Sequence, residues 1–229
     1  KRLSTKILTP RTFLTDLGPR QERLDTYKEL FYLHPSVFTP DKQVLRDVGF
    51  NPDEDYILVR FVAWNASHDI GKHGLDDAGK IALVRRLEAY GRVYVSAEGD
   101  VPAELRPNLL QTPYELVHHV LAFARLVYSE GATMASEAAV LGTHALYVNT
   151  IVSGSTREQQ DRFHLLCCCN DDGPARYEKA TAQAVQWLET PNLRQLGHEK
   201  QQKLLAEKVD INSYYMAEMD RLAQVGRKG

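Results

Sequence analysis

The sequence predicts an α/β fold built on a Rossmann-like, doubly wound and mainly parallel sheet. From residue 41 onward, short apolar runs alternate with longer amphipathic segments, as strands alternate with helices in such folds. Residues 56–62, YILVRFV, are almost continuously apolar, which is typical of a strand buried on both faces of a parallel sheet. Residues 126–149 read as strand, tight turn, helix and strand, which is one unit of this fold.

The first forty residues predict a different organisation. We expect strands at residues 4–8 and 27–33, with a loop at residues 11–19 between them. Such an opening resembles the tail of a preceding domain followed by a crossover. We therefore predict that residues 1–40 are the tail of an N-terminal domain and the interdomain crossover. Residues 41–229 are then the Rossmann-like domain with its C-terminal helices.

The elements of this larger region follow from apolar periodicity. Strands are expected at residues 56–62, 92–96, 126–128, 145–148 and 163–169. Helices are expected at residues 42–48, 76–90, 114–124, 156–162, 175–188, 192–208 and 211–222, and between Thr133 and Gly142.

Composition places the chain among globular proteins. Apolar residues make up 43% and charged residues 25% of the 229 residues. The net charge of −2 provides no broad basic surface, so we expect no nucleic-acid partner. No apolar run reaches the ~18 residues of a transmembrane helix, and the amino terminus lacks a secretory pattern. We therefore expect no transmembrane segment and a cytoplasmic location.

The turn at residues 129–133 is the first candidate site. Its small residues, including Gly131 and Ala132, let the backbone approach a ligand closely, and Thr133 is expected to cap the next helix. The amino end of that helix should lie at the carboxyl edge of the sheet, where α/β proteins bind phosphate-bearing ligands. Gly142 is expected to end the helix in a left-handed conformation.

Glu137 lies one helical turn beyond this amino end. It comes four residues after Thr133, so it does not complete a capping box, in which the acid stands three residues after the cap. One interpretation is an acid that stabilises the helix through its dipole. The other is a carboxylate that accepts hydrogen bonds from two ribose hydroxyls while phosphate lies over the turn.

Polar residues also stand at the ends of two other predicted strands. Arg60 lies inside an apolar strand near its carboxyl end, where it is expected either to form an ion pair or to bind a phosphate or carboxylate. Ser96 and Glu98 follow the next strand and face the same edge of the sheet. They form either a plain turn or a ligand contact.

The loop after Arg60 is dense in hydrogen-bond donors and acceptors. Asn65, Ser67 and His68 lie where open α/β sheets bind their ligands. His68 and Asp69 are candidate catalytic residues, His68 as a general base, although adjacency in sequence does not establish a dyad. A loop that only satisfies its own backbone is the alternative.

Histidines and cysteines have mainly structural interpretations. His118 and His119 project about 100° apart on an apolar helix, which predicts core or capping roles and not joint metal ligation. The run from Cys167 to Cys169 is interpreted as small apolar residues of a buried strand, with a redox or metal role as the alternative. No Cys or His cluster has zinc-like spacing, so we predict no metal site.

Residues 130–143, EGATMASEAAVLGT, resemble the carboxyl-terminal, nucleotide-sugar-binding half of GT-B glycosyltransferases. They are similar to the N-acetylglucosaminyltransferase of lipid II synthesis and to UDP-N-acetylglucosamine 2-epimerases. The resemblance implies that Gly131, Ala132 and Thr133 meet a diphosphate and that Glu137 binds the ribose. In the hypothesis of a nucleotide-sugar-binding donor half, Ser96 and Glu98 contact the base or its surroundings.

A narrower resemblance extends over almost the whole chain. The chain resembles a prokaryotic family of unknown function with GT-B-type architecture. The similar strings are TPRTFLTDLG, KELFYLHP, RFVAWNASHDIG and EGATMASEAAVLGT. The chain matches the second GT-B domain and only the last strand and crossover of the first. Its loop at residues 63–72 also lacks the glycine-rich sequence of many GT-B proteins.

Together these observations predict the donor half of a GT-B glycosyltransferase-like protein that binds a nucleotide-sugar, most simply a UDP-sugar. Arg60, Asn65, Ser67 and His68 would contact the phosphate or the sugar. No metal or cofactor is required, the acceptor is unknown, and an N-terminal partner domain or a second copy of the chain would complete the cleft. The alternatives are a sugar-nucleotide 2-epimerase and a non-catalytic binding or assembly module.

Overall fold

The computed structural model describes residues 4–63 and 74–226. Two short strands, β1 (Ile7–Pro10) and β2 (Gln21–Leu24), pair in parallel outside the main sheet. The main sheet contains β3 (Tyr56–Phe61), β4 (Arg92–Ala97), β5 (Leu126–Ser129), β6 (Ala145–Val148) and β7 (Leu166–Cys169). All four pairings between these five strands are parallel, and their order across the sheet is β4-β3-β5-β6-β7.

Helices follow the strands and cover both faces of the sheet. They are α1 (Leu30–Leu33), α2 (Lys42–Asp47), α3 (Asp77–Glu88), α4 (Val117–Phe123), α5 (Ala132–Val140), α6 (Gly154–Asp161), α7 (Ala175–Leu188), α8 (Leu193–Glu207) and α9 (Ile211–Gly226). Two 3₁₀ helices lie at Ala103–Asn108 and Tyr114–Leu116. In the described part of the chain, no helix has the length and apolarity needed to cross a membrane.

The sheet is buried on both faces because its strands are apolar at successive positions. On one face, Leu58 and Val127 pack with residues of α4, α5 and α8. On the other face, Val59 and Tyr128 pack with residues of α3 and α7. Neighbouring side chains of a strand point to opposite faces, so each apolar strand contributes to both cores. The predicted doubly wound, parallel α/β fold is confirmed.

The strand order also shows where the chain reverses direction across the sheet. From β3 the chain moves outward to β4, and it then returns to the other side of β3 to form β5, β6 and β7. The helices that follow β3 and β5 therefore diverge, which leaves a crevice between the carboxyl ends of these two strands. Open α/β sheets bind ligands at such a topological switch point.

Most predicted elements are confirmed, with shifted ends. The helix at Ala175–Leu188 has the predicted bounds, and Gly142 has the predicted left-handed conformation, with φ 85°. The strand predicted from residue 163 begins only at Leu166, because His164 has a positive φ of 53° that interrupts extended backbone. The polar β2 strand was not expected, since its sequence QERL has no apolar alternation.

Residues 27–33 were wrongly predicted to form a strand. Tyr27, Leu30 and Leu33 are at most 2% exposed, whereas Phe31 and Tyr32 between them are exposed. Burial of every third residue is the spacing of one helix face, and the segment contains α1. The partial alternation of apolar residues in YKELFYL had suggested the period of a strand.

The N-terminal segment is packed against the rest of the chain. Tyr27, Leu30 and Leu33 belong to the same core as residues of α5 and α8. The Thr26 hydroxyl donates a hydrogen bond to the Val209 carbonyl at 3.0 Å, and the Val209 N–H donates to the Asp25 carbonyl at 2.9 Å. The boundary placed at residue 40 remains a prediction, but the segment before it contributes directly to the core.

Lys208 joins this segment to two helices. Its side chain is 1% exposed, and its Nζ lies 2.6 Å from Asp25 Oδ1 and 2.8 Å from Glu158 Oε2. The ammonium group also lies over the Tyr27 ring, 4.7 Å from its centroid, and the Tyr27 hydroxyl donates to the same Glu158 oxygen at 2.6 Å. One buried cation therefore neutralises two carboxylates from different parts of the chain.

We predict that Lys208→Met lowers the free energy of unfolding by about 2–4 kcal/mol, because it removes the buried cation of two partly buried carboxylates. Asp25 and Glu158 would then keep their contacts of 3.6 Å with the more exposed cations Arg11 and Arg162. Burial opposes ionisation of Asp25, but the hydrogen bond and charge of Lys208 outweigh it and lower the pKa of this carboxyl. This contribution to stability is therefore present above about pH 4 and is lost as the pH falls through the folded-state pKa. Urea denaturation should show a difference between wild type and variant that shrinks at acidic pH. A difference that grows instead would contradict the assignment.

Candidate functional site

The candidate site lies at the carboxyl edge of the sheet, at the switch point between β3 and β5. The register pairs Arg60 of β3 with Ser96 of β4 on one side and with Ser129 of β5 on the other. The sequence segments that follow these strands are therefore neighbours in space. The structure thus brings together Arg60, Ser96, Glu98 and the turn after Ser129, all of which were predicted from the sequence.

The turn between β5 and α5 is closed by its own serine. Ser129 Oγ accepts a hydrogen bond from the Gly131 N–H at 3.0 Å and donates to the Gly131 carbonyl at 2.8 Å. Gly131 is the N-cap residue, with φ −96° and ψ 127°, and no side chain of the described residues caps the helix. Within the part of the chain that the structure describes, the amide groups of the first turn of α5 thus have neither intrahelical partners nor a capping side chain.

Thr133 does not cap α5, contrary to the prediction. The helix begins at Ala132, so Thr133 is already inside its first turn and cannot offer its hydroxyl to the amides of that turn in the manner of a cap. Its Oγ1 instead accepts a hydrogen bond of 3.4 Å from Lys28 Nζ. Lys28 is a cation beside the helix amino end that was not recognised from the sequence.

Glu130, immediately before this turn, is a buried carboxylate that bridges the switch point. It is 1% exposed. One oxygen accepts the Val62 N–H at 3.0 Å, at the end of β3, and the other accepts the Tyr177 hydroxyl of α7 at 2.8 Å. Arg176, itself buried, donates to the same hydroxyl at 3.4 Å, with its guanidinium over the Tyr177 ring. Glu130 therefore connects β3, β5 and α7 at one point.

Glu137 lies deeper in α5, where it is held by two side chains. Its Oε1 accepts the Tyr32 hydroxyl at 2.8 Å and lies 3.2 Å from His118 Nε2. The Glu137 side chain is 10% exposed, and its Oε2 accepts no hydrogen bond from the residues that the structure describes. Burial and the nearby Glu137 charge raise the pKa of Tyr32, which keeps its hydroxyl a donor at neutral pH.

The two neighbouring histidines have different roles. His118 contacts Glu137 and lies 5.4 Å from the Tyr32 ring, centroid to centroid. His119 Nδ1 accepts the backbone N–H of Asp41 at 2.9 Å, next to the amino end of α2. His119 therefore has the structural role expected from the sequence, whereas His118 belongs to the surroundings of the candidate site.

Arg60, Ser96 and Glu98 form one hydrogen-bonded group. Arg60 Nη1 donates to Ser96 Oγ at 2.8 Å, and Arg60 Nη2 lies 2.6 Å from Glu98 Oε1. The second oxygen of Glu98 accepts the Ala63 N–H at 3.1 Å. The Arg60 side chain is 15% exposed and that of Glu98 is 45% exposed. The ion pair considered as one interpretation of Arg60 is therefore present.

A cavity of about 440 Å³ adjoins this group, between the ends of β3 and β4 and the beginning of α3. Among the described residues, its charged lining residues are Asp76, Lys80 and Asp100. The other predicted site residues lie outside the described residues. They are Asn65, Ser67, His68 and Asp69. Within the described part of the chain, no group of three or more His, Cys, Asp or Glu residues is arranged to hold a metal ion.

Two asparagines connect the remaining loops of this edge. Asn149 Nδ2 donates to the Glu130 carbonyl at 3.0 Å, and Asn170 Nδ2 donates to the Asn149 carbonyl at 2.5 Å. Each asparagine comes directly after a strand, β6 and β7 respectively. That position is the sequence signal that would have identified them, since both strands were predicted.

Known structures share this architecture. No protein-family model and no curated protein sequence matches the chain. Two variants of the wall teichoic acid polymerase TagF align with 97–98% of the chain and 59% of their own length, with a TM-score of 0.50 and 10–11% identity. The chain has a GT-B-like fold. At this identity, the similarity concerns the fold alone.

Other similar structures cover less of the chain. The calicheamicin glycosyltransferase CalG4 aligns with 73% of the chain and 42% of its own length, with a TM-score of 0.46 and 19% identity. A proposed UDP-N-acetylglucosamine 2-epimerase from Listeria monocytogenes aligns with 79% and 47%, with a TM-score of 0.48 and 12% identity. The GT-B-like chain thus spans 42–59% of the length of these proteins.

We predict that Tyr177→Phe lowers the free energy of unfolding by about 1–3 kcal/mol, because it removes the hydroxyl that donates to the buried Glu130 carboxylate. Urea denaturation measures this loss. Tyr90→Phe is the matched control, since the Tyr90 hydroxyl donates to the Glu189 carboxylate at 2.9 Å in an exposed pair. The control should change stability by less than about 1 kcal/mol. Equal losses in the two variants would mean that Glu130 does not hold the switch point.

Proposed function

We propose that this chain binds a nucleotide-sugar, most simply a UDP-sugar, as the donor half of a GT-B glycosyltransferase-like protein of cell-surface or polysaccharide biosynthesis. The observation that carries the proposal is the pairing of an uncapped helix amino end at the switch point with Glu137 one turn deeper in the same helix. Each feature suits a different part of a nucleoside diphosphate.

The amino end of α5 suits the diphosphate. Unpaired amides and the helix dipole favour an anion at this position, and Gly131 and Ala132 allow it to approach the backbone. Lys28 adds a positive charge, since its 66% exposed side chain contacts Thr133 and lies 3.7 Å from Glu29 Oε1. The nearby Glu130 carboxylate accepts hydrogen bonds from Val62 and Tyr177, and the Arg176 guanidinium beside Tyr177 offsets part of its charge.

Glu137 suits the ribose. At a rise of 1.5 Å per residue its Cα lies about 7.5 Å along the helix axis from Ala132, which separates the carboxylate from a phosphate at the amino end. Tyr32 and His118 contact Oε1, while Oε2 accepts no hydrogen bond from the described residues and can accept one from a ribose hydroxyl. A carboxylate with one oxygen fixed is oriented before the ligand arrives.

Arg60 is the candidate group for charge stabilisation. Glycosyl transfer releases a nucleoside diphosphate, and a guanidinium beside the leaving group would stabilise its developing charge without a metal ion. In this proposal Arg60 exchanges Glu98 for phosphate, and Ser96 keeps the guanidinium in place. The candidates for sugar contacts and for the catalytic base remain Asn65, Ser67, His68 and Asp69. We propose that the nucleotide-sugar donor is bound in the cytoplasm.

Isothermal titration with UDP and with 2′-deoxy-UDP tests the ribose contact. We expect wild type to bind UDP at least about 10-fold more tightly, because a hydrogen bond to a charged group contributes about 1.5–3 kcal/mol. Glu137→Ala should bind both nucleotides with the same, weaker affinity. Glu115→Ala, which removes an exposed acid from the adjacent 3₁₀ helix, should retain the preference of wild type.

The comparison between nucleotides separates binding from folding. A loss of stability in Glu137→Ala would weaken the apparent binding of both nucleotides equally. It would not remove the preference for UDP in the fraction of protein that remains folded. The ribose assignment is wrong if Glu137→Ala still prefers UDP over its 2′-deoxy form. The proposed function is wrong if wild type binds none of the five nucleoside diphosphates UDP, CDP, GDP, ADP and dTDP at millimolar concentration.

We predict that Glu98→Gln strengthens nucleotide binding by about 2–5-fold, because the partly exposed ion pair that holds Arg60 is worth roughly 0.4–1 kcal/mol. Arg60→Ala should weaken it. Glu88→Gln is the matched control, since it removes the carboxylate of the Arg85–Glu88 pair, whose closest contact is 2.8 Å. Weaker binding by Glu98→Gln would show that Glu98 contacts the ligand directly.

A further inference from the structure

The cysteine run of β7 forms a close pair of thiols. Cys167 and Cys169 are two residues apart on a strand, so they point to the same face of the sheet, and their Sγ atoms are 3.9 Å apart. Cys167 is partly exposed, whereas Cys169 is completely buried. Cys168 points to the opposite face, and its backbone N–H donates to Gln160 Oε1. Cys167 and Cys169 are therefore a pair of neighbouring thiols, and Cys168 is not part of this pair.

The environment of the pair gives the two thiols different chemistry. The hydrogen bond from Cys169 lowers the pKa of Cys167 to about 7, against the opposing effect of burial, and the Lys179 ammonium acts in the same direction as the hydrogen bond. The same hydrogen bond raises the pKa of Cys169, which keeps its proton. Burial raises the pKa of Cys168 to about 11. The partly exposed member of the pair is thus the nucleophile.

We propose that Cys167 and Cys169 are a peroxide-sensitive site that closes to an intrachain disulfide. The Cys167 thiolate attacks one oxygen of hydrogen peroxide, the O–O bond breaks, and hydroxide leaves as the sulfenic acid forms. The Cys169 sulfur then attacks the Cys167 sulfur and breaks its S–O bond. The departing hydroxide takes the Cys169 proton as water. Two thiols and one peroxide become one disulfide and two water molecules, and an added dithiol reverses the change.

The position on the sheet permits this bond. A strand rises 3.2–3.4 Å per residue, which places the two Cα atoms roughly 6.6 Å apart, near the upper end of the 4.4–6.8 Å typical of disulfides. Closure therefore requires β7 to shorten slightly. Because β7 is the four-residue last strand of the sheet and pairs with β6 alone among the described strands, only one ladder of hydrogen bonds has to adjust.

Shortening of β7 would act on the carboxyl edge. Asn170 follows Cys169 and donates to the carbonyls of Asn149 and Ile151, at 2.5 and 3.3 Å. Asn149 in turn donates to the Glu130 carbonyl, one residue before the N-cap of α5. Oxidation would thereby displace the turn assigned to the diphosphate. This second step rests on the proposed function, whereas formation of the disulfide does not.

The test is exposure of the reduced chain to a small molar excess of hydrogen peroxide, followed by alkylation, intact-mass measurement and peptide mapping. We expect the loss of two hydrogens, a peptide in which Cys167 and Cys169 are protected from alkylation, and recovery of both thiols with dithiothreitol. Cys168→Ser should behave like wild type. Cys167→Ser and Cys169→Ala should each abolish the loss of two hydrogens.

Several results would overturn the proposal. These are an unchanged mass in wild type, oxidation of Cys167 to a sulfinic acid with Cys169 still alkylated, a disulfide that uses Cys168, or a disulfide between two chains on a non-reducing gel. Peptide mapping of wild type decides among them even if a variant fails to fold.

Titration of UDP against the reduced and oxidised forms then tests the link to the carboxyl edge. We expect the oxidised form to bind at least about 3-fold more weakly. Equal affinity would refute the link while leaving the disulfide established. A reduced form that binds no nucleotide would refute the proposed function and, again, leave the disulfide established.

Discussion

The hydrogen bonds of the buried Glu130 carboxylate are the interaction on which the candidate site depends. The ends of β3 and β5 pair with each other at Arg60 and Ser129, but the helices that follow them diverge, so neither helix covers both ends. Glu130 connects the two ends to α7 by accepting the Val62 N–H and the Tyr177 hydroxyl. A buried carboxylate is tolerated here because it has donors on both oxygens, the Arg176 guanidinium nearby and the amino end of α7 beside it.

This bridge determines what the neighbouring turn can do. Since Glu130 is held on one side and Ser129 closes the turn on the other, the first turn of α5 keeps a defined position without a capping side chain. A capped helix would have its amides occupied. The asparagines after β6 and β7 extend the same hydrogen-bonded framework across the sheet edge. The framework is thus completed by residues that have no direct part in the proposed ligand contacts.

The sequence predicts those parts of the site that are set by local pattern. The five strands of the main sheet, the turn at residues 129–133 and Gly142 follow from apolar periodicity and from the conformational freedom of glycine, so they were found. Tyr32 and Glu137 are 105 positions apart, and Tyr177 and Glu130 are 47 apart, so no local pattern joins them. Tyr32 was missed for a second reason. Residues 27–33 were predicted as a strand, and the period of a strand assigns side chains to other faces than the helical period that the segment has.

The contact between Tyr32 and Glu137 changes how the N-terminal segment is understood. A segment that only led from a preceding domain into this one would not need to supply the donor that orients a buried acid. Here the segment supplies Tyr32 for Glu137, Lys28 for the amino end of α5, and apolar residues for the core of the sheet. The candidate ribose subsite is therefore assembled from both sides of residue 40. A chain that began at residue 41 would lose the residue that orients the carboxylate, together with apolar residues that pack in the core of the sheet.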